Sequence, residues 1–211
     1  MNVIFDFDGC LINSLKVQKK AYYESYEKVV GDDNCPSFDE YYKHTGGSIT
    51  DVFRIMGFPI EMIDVYRKIC TENIPLNDVN YEAIELIKEY RNKGWKFGLC
   101  TGKDRFRTID ILKYNNLEYL FDTLICGDDV KQSKPSPEPL ITTMKALGAS
   151  KENTLYIGDG YNDLLAANKI DVTAVLTLWY GDVGVPRECK YVVNSVEELR
   201  NIFEKYKNVH N

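Results

Sequence analysis

The sequence predicts an α/β fold: a doubly wound parallel sheet with helices on both faces and a small all-helical insertion after the first strand. Three observations predict it. Short apolar runs alternate with segments of helical period, the pattern that builds parallel sheets through right-handed crossovers. The stretch from about Lys16 to Val79 reads as helical, with no clear strand. Two of the apolar runs end in glycine and acid: Val3 to Phe7 delivers Asp6 and Asp8 into Gly9, and Thr154 to Ile157 runs into Gly158-Asp159-Gly160-Tyr161-Asn162-Asp163. An ionised carboxylate in a buried strand is costly unless a cation or hydrogen bonds compensate it, so a metal is the expected compensation.

The elements follow in order. Val3 to Phe7 is the first strand. In the insertion, Val17, Ala21, Tyr22, Ser25 and Val29 fall near helical spacing, and Ser37 with Glu40 offers a capping box. Tyr81 to Tyr90 is a helix with Ala83, Ile84, Leu86 and Ile87 toward one side, stopped at Gly94. Lys96 to Cys100 is a strand, Arg107 to Tyr114 a helix, Thr123 to Cys126 a short strand, and Pro137 to Leu147 a helix ended by Gly148. Thr154 to Ile157 is a strand and Leu164 to Asn168 continues a helix opened by the acidic turn. Val172 to Leu176 and Tyr191 to Val193 are the last strands, before the amphipathic helix Val196 to Tyr206. The domains expected are a core of residues 1–15 and 80–211 and a cap of residues 16–79.

Composition narrows the function. A chain of 211 residues fits one main domain with a modest insertion, and 44% hydrophobic content supplies a core. A net charge of -6 provides no basic stripe for phosphate backbones, which argues against nucleic acid as a partner. Cys10, Cys35, Cys70, Cys100, Cys126 and Cys189 lack paired metal-site spacing and are expected to be reduced. With no leader-like segment at Met1 and no membrane-length apolar run, the expectation is a cytoplasmic protein without a membrane partner.

In open parallel sheets ligands bind beyond the carboxyl ends of the strands. Asp6 and Asp8 follow the first strand, Thr101 and Gly102 the second, Asp159 the fourth, and Lys134 lies in the loop Ser133-Lys134-Pro135-Ser136-Pro137. Carboxylates suit a hard cation; a hydroxyl, a lysine and glycine N–H groups suit phosphoryl oxygens.

These residues carry a resemblance. "DFDGCLINS", "LCTG", "SKPSPEP" and "GDGYND" are similar, in order, to the four motifs of the haloacid dehalogenase-like hydrolase superfamily, in its phosphoglycolate phosphatase and beta-phosphoglucomutase branch. Cys10 stands where that family usually has threonine or valine, and Asn13 where aspartate is frequent. The resemblance implies a Rossmann-like core with a C1-type cap and magnesium-dependent hydrolysis of a small-molecule phosphate ester through an aspartyl phosphate. Asp6 is then the nucleophile, Asp8 the general acid and base, and Thr101 and Lys134 the phosphate grip with Gly102. Magnesium falls to Asp6, Asp8 and Asp159, with Asp163 either beside it or orienting Lys134. A phosphomutase of the same branch is the alternative, and a receiver-like phospho-acceptor or binding module the reading from another class. Monomer and homodimer are both open.

The cap is expected to choose the substrate. His44-Thr45-Gly46-Gly47-Ser48 is a glycine-bearing break placed like the family's specificity loop, which makes His44, Gly46 and Gly47 candidate substrate contacts. Arg54, Lys103 and Arg105 are cations able to pair with a substrate carboxylate, although a solvated charge is the commoner role. Tyr22, Tyr23, Tyr26, Tyr41 and Tyr42 are accounted for mainly by helix packing.

Overall fold

The computed structural model describes residues 1–181 and 189–209. Strands β1 (Asn2–Phe5), β4 (Lys96–Cys100), β5 (Thr123–Ile125), β6 (Thr154–Gly158), β7 (Thr173–Thr177) and β8 (Tyr191–Val193) form one sheet in the order β5-β4-β1-β6-β7-β8. Every pairing in it is parallel. Helices α5 (Tyr81–Asn92), α6 (Arg105–Tyr114), α7 (Glu138–Leu147), α8 (Tyr161–Asn168) and α9 (Val196–Val209) supply the crossovers and the closing element. This is the doubly wound architecture that the alternation predicts.

β1 is buried at every residue because helices cover both faces, which is why it reads as continuous apolar sequence rather than alternating. Its side chains still divide by the two-residue pleat. Val3 and Phe5 enter a core with Leu86, Ile87, Tyr90, Phe97 and Phe203, whereas Ile4 joins Leu140, Tyr156, Ala167 and Val172 on the other face. The helix starts are set locally: Asn80 accepts from Ala83 N at 3.0 Å to open α5. Asp104 accepts from Arg107 N at 3.0 Å, so α6 begins at Arg105, earlier than its apolar spacing indicates.

After β1 come α1 (Leu15–Val29), α2 (Phe38–Tyr42), α3 (Ile49–Ile55) and α4 (Glu61–Glu72). They enclose a separate core of Val17, Tyr22, Phe38, Tyr41, Val52, Phe53, Met62 and Tyr66. The cap tyrosines are packing groups: Tyr22 and Tyr41 stack with ring centroids 4.6 Å apart, and Phe53 meets Tyr66 edge-on at 5.5 Å. Ser37 Oγ accepts from Glu40 N at 3.2 Å, which opens α2.

One expectation is corrected. The segment 16–79 does contain a strand: β3 (Asp78–Val79) pairs antiparallel with β2 (Ile12–Asn13). Two residues are too few to show a period of two, so the ribbon left no signal in the sequence. It clamps the ingoing and outgoing chains of the helical insertion side by side, and Asn80 N continues the join by donating to Leu11 O at 2.9 Å. None of the described helices is long and apolar enough to cross a membrane. The six cysteines are free thiols.

Candidate active site

The site forms because the acid-bearing strands are neighbours. β1 lies between β4 and β6, with Phe5 in register with both Leu99 and Ile157. Asp6, Thr101 and Asp159 therefore emerge side by side at the carboxyl edge, where loops open a cleft. Asp6 N is fixed to Ile157 O at 2.7 Å and Thr101 N to Ile125 O at 3.0 Å. Gly9, at φ +73°, takes the turn after Asp8; a Cβ there would lie 1.8 Å from Asp159 Oδ2, so only glycine lets this turn pass beneath that carboxylate.

Lys134 sits under the acids, buried. Its Nζ is 3.0 Å from Asp6 Oδ1, 2.6 Å from Asp163 Oδ1 and 3.1 Å from the Tyr156 hydroxyl. Tyr156 donates to the same Asp163 oxygen at 2.6 Å, while Asp163 Oδ2 accepts from Gly160 N at 3.1 Å. Both oxygens of Asp163 are thus engaged in holding Lys134 and the turn, so it positions the lysine. Tyr156 was not visible as a site residue in the sequence, because in a buried strand its ring reads as core.

The acids are crowded. Carboxylate oxygens of Asp6, Asp159 and Asp163 lie within 4.8 Å of one another. Asp6 is raised to about 7, with burial the largest cause, Lys134 opposing it, and Asp163 and Asp8 adding to it. Burial likewise holds Asp159 well above the ordinary carboxylate range, reinforced by Asp6 and Asp163. Asp6 Oδ1 faces Lys134 as an ion pair but receives no hydrogen bond. An oxygen-only group with an orphaned buried oxygen and surplus negative charge fits a hard divalent cation. Among the described residues Cys126, Asp128 and Asp129 form a second such group, but Arg105 already neutralises it through Asp129 at 2.5 Å.

Asp8 is half-exposed at the rim. Its carboxylate accepts from the Ser14 hydroxyl and pairs with Lys103 Nζ at 3.1 Å. Lys103, offered by the sequence as a substrate contact, is buried against Asp8 and borders the cleft from there. Thr101 Oγ1 accepts from Lys103 N at 3.2 Å.

Above the acids is a cavity of about 610 Å³ between core and cap, walled by Asp6, Asp8, Thr101, Gly102 and Asp159 below and by Gly46 and Gly47 above. The cap loop rests on the core: a Cβ at Gly102 would lie 2.8 Å from both Gly46 O and Gly47 O, and Ser48 N donates to Ser133 Oγ at 3.3 Å. His44 is not brought to the cavity; its ring turns outward, with Nε2 3.8 Å from Glu40. Arg54 is spent on Asp51 at 2.5 Å and largely exposed. Neither it nor Arg105 lines the cavity. The cations that do line it, besides Lys103, are Lys43, paired with Glu40 at 2.7 Å, and Arg107, which the sequence reading left unmarked inside a helix.

Comparisons with known proteins agree with this geometry. A family model described as haloacid dehalogenase-like hydrolase matches residues 3–177. The pyrophosphatase PpaX of Halalkalibacterium halodurans is 32% identical over 206 residues, covering 95% of each chain. A phosphoglycolate phosphatase of Aquifex aeolicus is 29% identical over 181 residues, 84% of each. Among solved structures, CbbY from Rhodobacter sphaeroides in complex with phosphate superposes with a TM-score of 0.82 at 19% identity, over 94% of this chain and 95% of its own. A hydrolase from Pseudomonas syringae gives 0.83 at 22%, over 97% and 98%. At such identities the structures establish a shared fold.

Proposed function

The chain belongs to the haloacid dehalogenase-like hydrolase family and is a phosphatase; from that premise we propose that it hydrolyses a small-molecule phosphate monoester with magnesium, through a phosphoryl group carried on Asp6. The observation that supports this most is the Lys134 ammonium within 3.0 Å of the Asp6 carboxylate at the strand edge, beside Thr101 and the crowded acids. An Asp6 oxygen attacks phosphorus in line; the P–O bond to the leaving group breaks, and that oxygen takes a proton from Asp8. Asp8, now ionised, takes a proton from water as the water oxygen attacks phosphorus, and Asp6 is released with inorganic phosphate. Thr101, Gly102 N–H and Lys134 meet the charge on the phosphoryl oxygens. Carboxylates of Asp6 and Asp159 and the main-chain carbonyl of Asp8 would hold magnesium, which when bound offsets the combined negative charge of phosphate and acids. Asp163 serves through Lys134 and the Gly160 turn.

The hydrolase family sets aside the receiver-like and binding-module readings. Water and a substrate hydroxyl remain the competing acceptors. The test is phosphate release from a panel of glycolate, sugar and nucleotide monophosphates and pyrophosphate, with and without EDTA. Release that EDTA stops and magnesium restores is expected, while calcium, which prefers more ligands at longer distances, supports it poorly. Full metal-free activity would remove magnesium from the reading. Transfer to a second sugar hydroxyl in place of phosphate release would make the enzyme a mutase.

A further inference from the structure

The cavity is more than a phosphate needs. Its volume of about 610 Å³ is within the range, roughly 300–1,000 Å³, of pockets that enclose organic ligands. Away from the acids, part of its wall is the apolar and aromatic set Leu15, Tyr41, Tyr42, Ile49, Val52 and Tyr66, beside the polar Gln18, Lys43 and Thr45. Tyr41 and Tyr66 are buried, with one hydroxyl donating to the other at 3.0 Å.

Into this wall α6 inserts Arg107, only 5% exposed. Its guanidinium carbon lies 5.2 Å from the Tyr66 ring centroid, a cation–π contact. Nε donates to Asp104 Oδ2 at 2.8 Å. The same oxygen also accepts from Arg67 Nε at 3.1 Å, and Arg67 pairs in addition with Asp64 at 3.7 Å. Among the described residues, Arg107 Nη1 finds only the Cys70 thiol, at 3.8 Å, and Nη2 has no hydrogen-bond partner. A guanidinium edge with unused donors at the wall of a cavity is suited to receive an anion. The other cations of the cavity, Lys103 and Lys43, sit on Asp8 at 3.1 Å and Glu40 at 2.7 Å.

We propose that Arg107 is the anchor of a leaving-group subsite, and that the preferred substrate is a phosphate ester whose apolar, ring-sized leaving group carries a carboxylate. This rests on the phosphatase reading above. The free edge belongs to one guanidinium whose charge is already shared with Asp104, which suits a monoanionic carboxylate rather than a second phosphate dianion. The guanidinium edge offers the paired donors that a carboxylate accepts. Apolar burial of the ring against the cap adds binding that inorganic pyrophosphate cannot use.

The test compares kcat/KM for phenyl phosphate, its three carboxy-substituted isomers and pyrophosphate, using the full chain with magnesium. The best carboxyphenyl isomer is expected to exceed phenyl phosphate by about tenfold or more, mainly through KM, as a charged hydrogen bond of about 1.5–3 kcal/mol implies. Arg107→Gln should bring that ratio close to one, and Arg107→Lys should keep part of it. Arg67→Gln, which removes the neighbouring pairs to Asp104 and Asp64 but leaves the free edge of Arg107 in place, should leave the ratio standing. Should Arg107→Gln fail to fold, Arg107→Lys is read by the same ratio. A ratio unmoved by Arg107 variants, an equal collapse in Arg67→Gln, or a preference for pyrophosphate overturns the subsite. Absence of hydrolysis on every ester would instead count against the phosphatase reading. Calorimetric binding of the matching hydroxybenzoate then decides the subsite by itself: binding lost in Arg107→Gln supports it, and no binding to the wild type overturns it.

Discussion

Asp6 is held among like charges, and that has a measurable cost. Unfolded, it titrates near 3.8; folded without metal, at about 7. Between those values the folded chain keeps a proton that the unfolded chain has lost, so the stability Asp6 contributes is full below about pH 4 and is lost as pH rises through 7. The metal-free melting temperature is therefore expected to fall from pH 5 to pH 8. Asp6→Asn should flatten that slope, melt higher than wild type at pH 8 and show no turnover, since an amide cannot form the acyl phosphate. Scanning calorimetry across pH, paired with a phosphate-release assay, checks both; a variant that keeps turnover sinks the nucleophile assignment. Asp6, Asp8, Thr101 and Asp159 were legible in the sequence because each lies in or just after an apolar run that ends at a glycine, and Lys134 because it stands in a proline-bearing loop. Tyr156 and Arg107 were not, because their partners lie far along the chain: Tyr156 meets Lys134, and Arg107 meets Tyr66 and, through Asp104, Arg67.

At the scale of elements, strands and helices with strong apolar periods were legible, and what escaped was short or set by caps. β2 and β3 are two residues each, and the start of α6 depends on one Asp104 hydrogen bond. The glycine loop of the cap was found by its composition, but His44 was not separable from its neighbours. Only the fold shows the loop touching the core through backbone, with the His44 ring facing away. That contact makes Gly102 the sensitive position. Gly102→Ala puts a methyl group 2.8 Å from two cap carbonyls, and overpacking of this kind costs roughly 1–3 kcal/mol. Paid in cap seating, it should lower kcat/KM for a cap-dependent ester about tenfold or more, with a smaller loss on p-nitrophenyl phosphate. Equal losses on both substrates would place the damage in the phosphate grip.

The whole molecule has separate hydrophobic cores, one in the cap and others on the faces of the sheet. Phe53 is fully buried in the cap core against Phe58 and Tyr66. Phe53→Ala should cost roughly 3–5 kcal/mol there. Hydrogen exchange is then expected to quicken in α1, α3 and α4 while β1, β4 and β6 stay protected; uniform quickening would mean that cap and sheet open as one unit. The ribbon of β2 and β3 has a further consequence. Asn13 and Asp78 face each other as paired residues, so the chain leaves the sheet and returns to it at nearly the same point. All that lies between them is a detour with coincident ends. A tight turn could replace it without moving a strand, and a foreign segment of any length could be spliced into the same two positions. The strand edge that carries Asp6, Thr101 and Asp159 is therefore joined to the helical insertion through this one ribbon, which makes it the place to cut when the two are to be separated.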